Sequence, residues 1–308
     1  MRRSLGLLAV VLITPALAYI VFGALMDGTT LWAQAEGLPD YARRVILHFD
    51  FGVIGPPTQR EAIGHAVLKG AVVDGTLLVG GVIIGTLTGL VTGTIAGAKP
   101  RTKTDRALAV GSAAGLSVPV YWLGFMVLVL FAPGQGRWGI PFVTRSDSYR
   151  PLTEDPLAWL QSLWVPWVAL AIPLAAMCHQ LTRGSLAEIR EEDMLRTARA
   201  KGLRERTVMF RHALPVALPP VIGLVSANMA LLVTNVIVIE TPFNLPGAFR
   251  FAGVGQFVYF GGDNGPGVNF EVVQALIVEA AALIAITTLV CDLLHAALDP
   301  RVAARALG

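Results

Sequence analysis

The chain reads as an all-α, polytopic integral membrane protein, and three observations carry that reading. Of its 308 residues, 54% are hydrophobic and only 15% are charged, where ordinary soluble domains carry about a quarter charged residues. Mean hydropathy is +0.63. Runs almost free of charge recur along the sequence, each near the ~20 residues that a helix needs to cross a bilayer. Six transmembrane helices are therefore expected, over residues 5–26, 71–98, 107–131, 163–182, 217–239 and 272–297.

Each span has its own justification. Met1-Arg2-Arg3 ahead of an apolar core gives the first the look of a signal peptide. Its run is too long for a signal core and no small-residue cleavage site follows Met26, so a retained anchor is expected. The second is dotted with Gly75, Gly80, Gly81, Gly85, Gly89, Gly93 and Gly97. Small residues every four positions let helix backbones approach closely; a packing face and a pore lining are the two readings. The fifth holds Asn228, Thr234 and Asn235, which either hydrogen-bond across helices or line a polar translocation path. The sixth holds Glu279. A carboxylate inside a bilayer is costly, about 2.5–3.5 kcal/mol on insertion scales. It either faces a crevice as a structural group or serves proton coupling.

Charge sets the orientation. With the N-terminus inside, the inner segments hold 16 of the 24 Lys and Arg, as the positive-inside rule favours. Both termini and the 183–220 loop then lie in the cytoplasm. The basic pI of about 9.1 follows from this topology and from lipid contact, so no nucleic-acid partner is implied. Cys178 and Cys291 are placed near the inner ends of spans, without the company of a disulfide or a metal site.

Between the fourth and fifth spans lies a polar stretch of about forty residues with its own helix punctuation. Ser185-Leu186-Ala187-Glu188 has the form of a capping box. Arg196, Arg199 and Lys201 crowd a helix end, where positive charge suits the dipole. Gly202 follows, as expected of a residue leaving a helix in the left-handed conformation. A second short helix is expected from Leu203 to about Ala213, closed by Pro215.

Arg196-Thr197-Ala198, Gly202 and His212-Ala213-Leu214-Pro215 fall on the spacing E-A-A-x(3)-G-x(9)-I-x-L-P. Arg196, Thr197 and His212 depart from its letters. Thr197-Ala198-Arg199-Ala200-Lys201-Gly202-Leu203 resembles the T-A-R-A-K-G-L form of that loop. Asp50-Phe51-Gly52, Leu116-Ser117-Val118-Pro119-Val120-Tyr121-Trp122-Leu123-Gly124, Glu240-Thr241-Pro242-Phe243 with Pro246-Gly247, and Leu298-Asp299-Pro300-Arg301 match further blocks in order. On these residues the chain resembles permease subunits of bacterial ABC importers, in the dipeptide, oligopeptide and nickel branch.

The resemblance implies a type I ABC importer transmembrane fold. Residues 1–70 would form an anchor helix and external segment, and residues 71–308 a five-helix core with the coupling loop 183–220. It implies partners: a second homologous permease in a heterodimer, two ATP-binding domains or subunits, and an external substrate-binding protein or lipoprotein. ATP and Mg would belong to the ATPase partners, with no cofactor in this chain. The ATPase contact would involve Arg196, Thr197, Ala198, Arg199, Ala200, Lys201, Gly202, Leu203, Leu214 and Pro215, with a second contact at Asp299, Pro300 and Arg301. Asp50-Phe51-Gly52 and Phe243 to Gly247 are either tight turns or contacts to the binding protein. Dipeptides and oligopeptides lead as substrates, with nickel or haem as further candidates, in the bacterial inner membrane.

The chain has no G-x(4)-G-K-[ST] phosphate cradle, no H-E-x-x-H and no G-x-S-x-G, so a catalytic role is not expected. The rival is a proton-coupled secondary transporter using Glu279. The charge asymmetry makes a direct prediction. In a variant lacking Cys178 and Cys291, a membrane-impermeant thiol probe on intact cells should label Arg60→Cys and spare Arg204→Cys. The reverse pattern would overturn the orientation.

Overall fold

The computed structural model describes residues 2–54, 61–132, 138–139, 149–190, 192–249 and 269–298. These form an all-α bundle, as expected. The chain opens with α1 (Arg2–Asp27) and two short helices, α2 (Leu31–Glu36) and α3 (Leu38–Ala42), followed by a wide π turn at Arg43–Leu47. A two-stranded antiparallel ribbon follows, Val53–Ile54 against Glu61–Ala62. The long helices are α4 (Ile63–Ala98), α7 (Pro156–Ile189) and α12 (Phe270–Leu298). Between α4 and α7 lie α5 (Lys103–Ser117) and α6 (Val120–Phe131). After α7 come α8 (Asp193–Ala200), α9 (Glu205–Thr207), a π turn Val208–Ala213, α10 (Leu214–Ala227) and α11 (Met229–Phe243).

Among the described residues, four helices are long and apolar enough to cross a membrane: Ile63–Ala98, Pro156–Ile189, Glu205–Ala227 and Phe270–Ala297. A fifth span arises if α5 and α6, bent by 99° at their junction, count as one. The expected count of six is not confirmed among the described residues, and two of the expected spans carry breaks. The third span is broken where Pro119 removes an amide donor and Val118, forced extended before it, takes φ −100° and ψ 124°. The fifth is interrupted at Asn228. Its side-chain amide and its backbone N–H both turn to Leu224 O, at 2.8 and 3.1 Å, competing with the regular ladder.

Helix ends also lie beyond the apolar runs. The second span was expected from residue 71, yet α4 starts at Ile63 and runs straight across residue 70. Its first two turns carry His65 and Lys69, both exposed. An apolar run marks the lipid-embedded part of a helix; backbone hydrogen bonding continues into water.

The architecture hangs on α4 and α7, which form the most extensive helix pair. Gly81 meets Leu170, Gly85 meets Ala171 and Leu174, and Gly89 meets Ala175 and Cys178. Gly93 then meets His179 and Thr182, and Gly97 meets Leu186. Numbers rise together on both helices, so the pair runs parallel. The four-residue glycine spacing is a packing face over this stretch, and the pore reading finds no support there. Gly75 differs, with nothing within 4 Å of where its Cβ would stand. The outer helices wrap this pair, with α5 against α7, α10 and α4 against α12, and α1 against α12.

A second apolar cluster joins α1, α3 and α12. Tyr19 stacks on Tyr41 with ring centroids 4.3 Å apart, and burial pushes the Tyr41 phenol up to about 12. Asp50-Phe51-Gly52 is a tight turn: the Gly52 N–H donates to Asp50 Oδ1 at 2.9 Å, and Gly52 has φ +92°. Phe51 is buried in this cluster with Ile63 and Val272.

The seam yields a paired prediction. A side chain at Gly89 would stand 2.6 Å from the Ala175 carbonyl, so Gly89→Leu should destabilise the chain by about 1–3 kcal/mol or more through overpacking. Gly75→Leu should be tolerated. Thermal unfolding of the purified variants checks both, and equal melting temperatures would remove the seam's role.

Candidate functional site

The stretch from Asp193 to Pro215 is built differently from its sequence punctuation. Ser185 lies inside α7, which continues to Ile189, so the proposed capping box caps nothing. Leu186 is wholly buried against Gly97, and this contact holds α7 helical past the expected boundary. The next helix instead starts at Asp193, after Glu192, with no side-chain cap bond.

Gly202 behaves as expected. It has φ +75°, its N–H donates to Arg199 O at 2.9 Å, and the Leu203 N–H reaches back to Ala198 O at 3.4 Å. This pair of bonds is a Schellman motif, which needs a left-handed residue and favours glycine. The chain then turns into α9. Arg199 spans the turn, donating from Nε and Nη2 to the two Glu205 oxygens at 3.1 and 3.0 Å and from Nη1 to Arg190 O at 3.0 Å. The pair is partly exposed, so it contributes little to stability, about 0–1 kcal/mol. Its effect is geometric, because a two-point guanidinium contact fixes the angle between α8 and α9.

The second helix does not stop at Pro215. From Glu205 to Ala227 it is one apolar helix, widened into the π turn Val208–Ala213 just before the proline. Proline clashes with the carbonyl four residues back in a regular helix, and a wider turn ahead of it removes that conflict. Leu214 is half-buried and Pro215 exposed at the start of α10.

Burial divides α8 into two faces. Leu195 and Ala198 pack with Leu186, Val208, Met209, Ala213 and Ala217, so the helix rests on the ends of α7 and α10. Arg196, Thr197, Ala200, Lys201 and Gly202 are exposed, as are Met194 (44%) and Leu203 (40%). Exposed apolar side chains flanked by cations form a face suited to another protein. Ala198 and Arg199 thus build the segment, while Arg196, Thr197, Ala200, Lys201 and Leu203 face outward. Asp299, Pro300 and Arg301 lie outside the described residues.

The residues expected to line a path differ in burial and bonding. Asn228 and Thr234 spend side-chain hydrogen bonds on their own helix, at Leu224 O and Ala230 O. Asn235 is half-buried and Thr234 exposed.

Sequence reading missed three features. Asp105, 2% exposed, takes Arg183 Nη2 at 2.9 Å and the Arg101 N–H at 2.8 Å, tying the α4–α5 turn to α7. Glu205 as partner to Arg199 falls outside helical i,i+4 spacing and leaves no sequence signal. Glu279 is not isolated: the buried carboxyl groups of Asp74 on α4 and Glu240 on α11 lie near it. The same Asp74 accepts the Ala248 N–H at 2.9 Å. Phe243, Leu245 and Ala248 are wholly buried, so this block is an inward-packed turn. Asn244, at φ +55°, ends α11.

A family model described as "Binding-protein-dependent transport system inner membrane component" matches residues 89–304. This chain belongs to that family. The match covers the seam from Gly89 onward, the α8–α9 segment and α12. A probable peptide ABC transporter permease protein, y4tP, of Sinorhizobium fredii is 33% identical over 64% of this chain and 58% of its own length. The di/tripeptide transport system permease protein DppB of Pseudomonas aeruginosa is 29% identical over 80% of this chain and 74% of its own. The oligopeptide transport system permease protein AppB of Bacillus subtilis is 27% identical over 68% and 62%. The chain thus spans less than two thirds of the length of two of these three relatives, 58% and 62%. It is a multi-pass membrane protein.

Proposed function

We propose that this chain is a transmembrane permease subunit of an ATP-driven, binding-protein-dependent importer, forming half of a translocation path. Dipeptides, oligopeptides or related small solutes are the substrate class, in line with what the relatives' names say of those proteins. Its partners are a second permease, two ATP-binding subunits that hold ATP and Mg, and an external binding protein. It sits in the bacterial inner membrane with the α8–α9 segment on the cytoplasmic side. The chain itself makes and breaks no bonds.

The observation that carries this reading is the two-faced α8, joined to α9 through left-handed Gly202. Its outer face offers Met194, Arg196, Lys201 and Leu203 to an ATPase. Its inner face is keyed by Leu195 and Ala198 into the ends of α7 and α10. A push on α8 is carried into both helices because the Arg199–Glu205 contact stops the segment folding at its turn. Movement of the ATPases would thereby tilt the bundle outward and accept substrate; hydrolysis would reset it.

The test is Gly202→Val. No atom lies within 4 Å of a Cβ there, so the variant acts through the positive φ, at about 1 kcal/mol or more for a branched residue, and through the fit to the ATPase. The protein should still insert and express, while ATP-driven uptake in vesicles or co-purification of the ATPase falls at least severalfold. Gly202→Asn, which tolerates the left-handed conformation, should retain more of both. Normal values for the valine variant would remove the coupling role. Uptake driven by an imposed proton gradient without ATP would overturn the importer reading.

A further inference from the structure

Beside the seam, the N-terminal halves of α4 and α7 enclose a groove. Val72, Val79 and Ile83 of α4 line it together with Trp159 and Trp167 of α7. Its volume is about 550 Å³, within the ~300–1,000 Å³ of pockets that hold small ligands. At Gly75, another lining residue, nothing stands within 4 Å of where a Cβ would be, so the groove keeps open space there. At Gly80 a Cβ would overlap the Trp167 ring. The missing side chain lets that ring lie against α4 as a wall, and Trp159 meets it edge-on with centroids 5.2 Å apart.

The walls suit an apolar occupant. Trp167 Nε1 donates to Thr76 O at 2.9 Å, and Thr76 Oγ1 donates to Val73 O at 2.8 Å. These polar groups are already bonded to backbone carbonyls, so a polar ligand would lose its own hydration here without finding them free. Val72, Val79 and Ile83 are all more than half exposed, and the groove lies in a helix long and apolar enough to cross a membrane.

Length and mouth point to one kind of occupant. From Ala71 to Ile84 the groove follows α4 for about 20 Å at ~1.5 Å per residue. One leaflet of a ~30 Å hydrocarbon core is about 15 Å thick. His65, Lys69, Val72, Thr76, Val79 and Ile83 follow at steps of three or four residues, so they share one face of the helix. The groove thus begins one turn past Lys69. Lys69 and His65 are exposed, and the Glu61 carboxylate stands 2.9 and 3.3 Å from their nitrogens. An apolar trough of leaflet length with a cation at its mouth complements a phospholipid, whose chain fills the trough and whose phosphate meets the lysine. A neighbouring helix, about 10–12 Å across with its side chains, would call for a seat along the whole span, whereas this lining ends at Ile84.

We propose that the α4–α7 groove is a phospholipid site, with one acyl chain lying over Gly75 between Val79 and the two tryptophans and the headgroup phosphate held at Lys69. Lipid binding there needs no ATPase and no transported solute, so it stands apart from the importer reading.

The experiment uses the full chain in the complex in which it purifies, in detergent, titrated with a phosphatidylethanolamine brominated along one acyl chain. Bromine quenches nearby tryptophan, so the wild type should show saturable quenching that is reduced in Trp159→Phe. Gly75→Leu places its side chain in the open space, and its melting temperature without added lipid should match the wild type. Its lipid affinity should fall at least threefold. Lys69→Gln, which removes the phosphate contact from an exposed site, should weaken binding by a similar factor. Equal titrations for the wild type and Gly75→Leu would mean ordinary annular lipid only and would overturn the proposal. So would efficient cross-linking of Gly75→Cys to a second permease by a short bis-maleimide, in a background lacking Cys178 and Cys291, which would assign the groove to a subunit contact.

Discussion

Close approach of α4 and α7 is the constraint on which the rest of the molecule depends. Lipid tails are as apolar as leucine, so burying apolar surface between two helices in a bilayer gains little. What remains is dispersion, which rises steeply as backbones near each other. Gly81, Gly85, Gly89, Gly93 and Gly97 remove the Cβ atoms that would hold the helices apart, and Leu170, Leu174, Cys178, Thr182 and Leu186 fill the space. The result is a closely packed pair of helices, 36 and 34 residues long, each longer than the ~20 residues that a bilayer needs.

The coupling segment and the turn after α11 are both attached to α4 near the limits of this seam. At one end, Gly97 receives Leu186, and Leu186 is also the floor on which Leu195, Val208 and Ala213 rest. The seam and the α8–α9 segment therefore share a side chain, so a displacement of one is felt by the other. Toward the other end, Gly70 and Asp74 seat the turn that follows α11. The proposed coupling face and the seat of the turn after α11 are joined by one helix pair.

The blocks of sequence that resembled a family turn out to have separate physical reasons. Leu116 to Gly124 is the site of a sharp helix break at Pro119 and of a close contact where Gly124 admits Ile239 and Phe243 from α11. Thr197 to Leu203 is a helix end closed by a Schellman motif. Glu240 to Gly247 is a helix end closed by left-handed Asn244 and packed against Asp74. Each has a backbone conformation or close approach that few residue types permit.

The sequence by itself determined the all-α membrane class, the four-residue glycine spacing, the left-handed hinge at Gly202 and the family; the contacts of α7 made that spacing a packing face. These are local or periodic signals: apolar run length, four-residue spacing, a glycine after a helix end. Only the tertiary structure decided where helices stop and which charges meet. Ser185 looked like a cap because its neighbours fit the pattern, but burial of Leu186 keeps α7 helical through it. Pro215 looked like a terminator, yet a π turn carries the helix past it. Glu279 stood out alone in the sequence because nothing local announces Asp74 or Glu240, which reach it from distant helices. Propensity and spacing act over a few residues, whereas the contacts of a buried carboxyl group are set by how three helices come together.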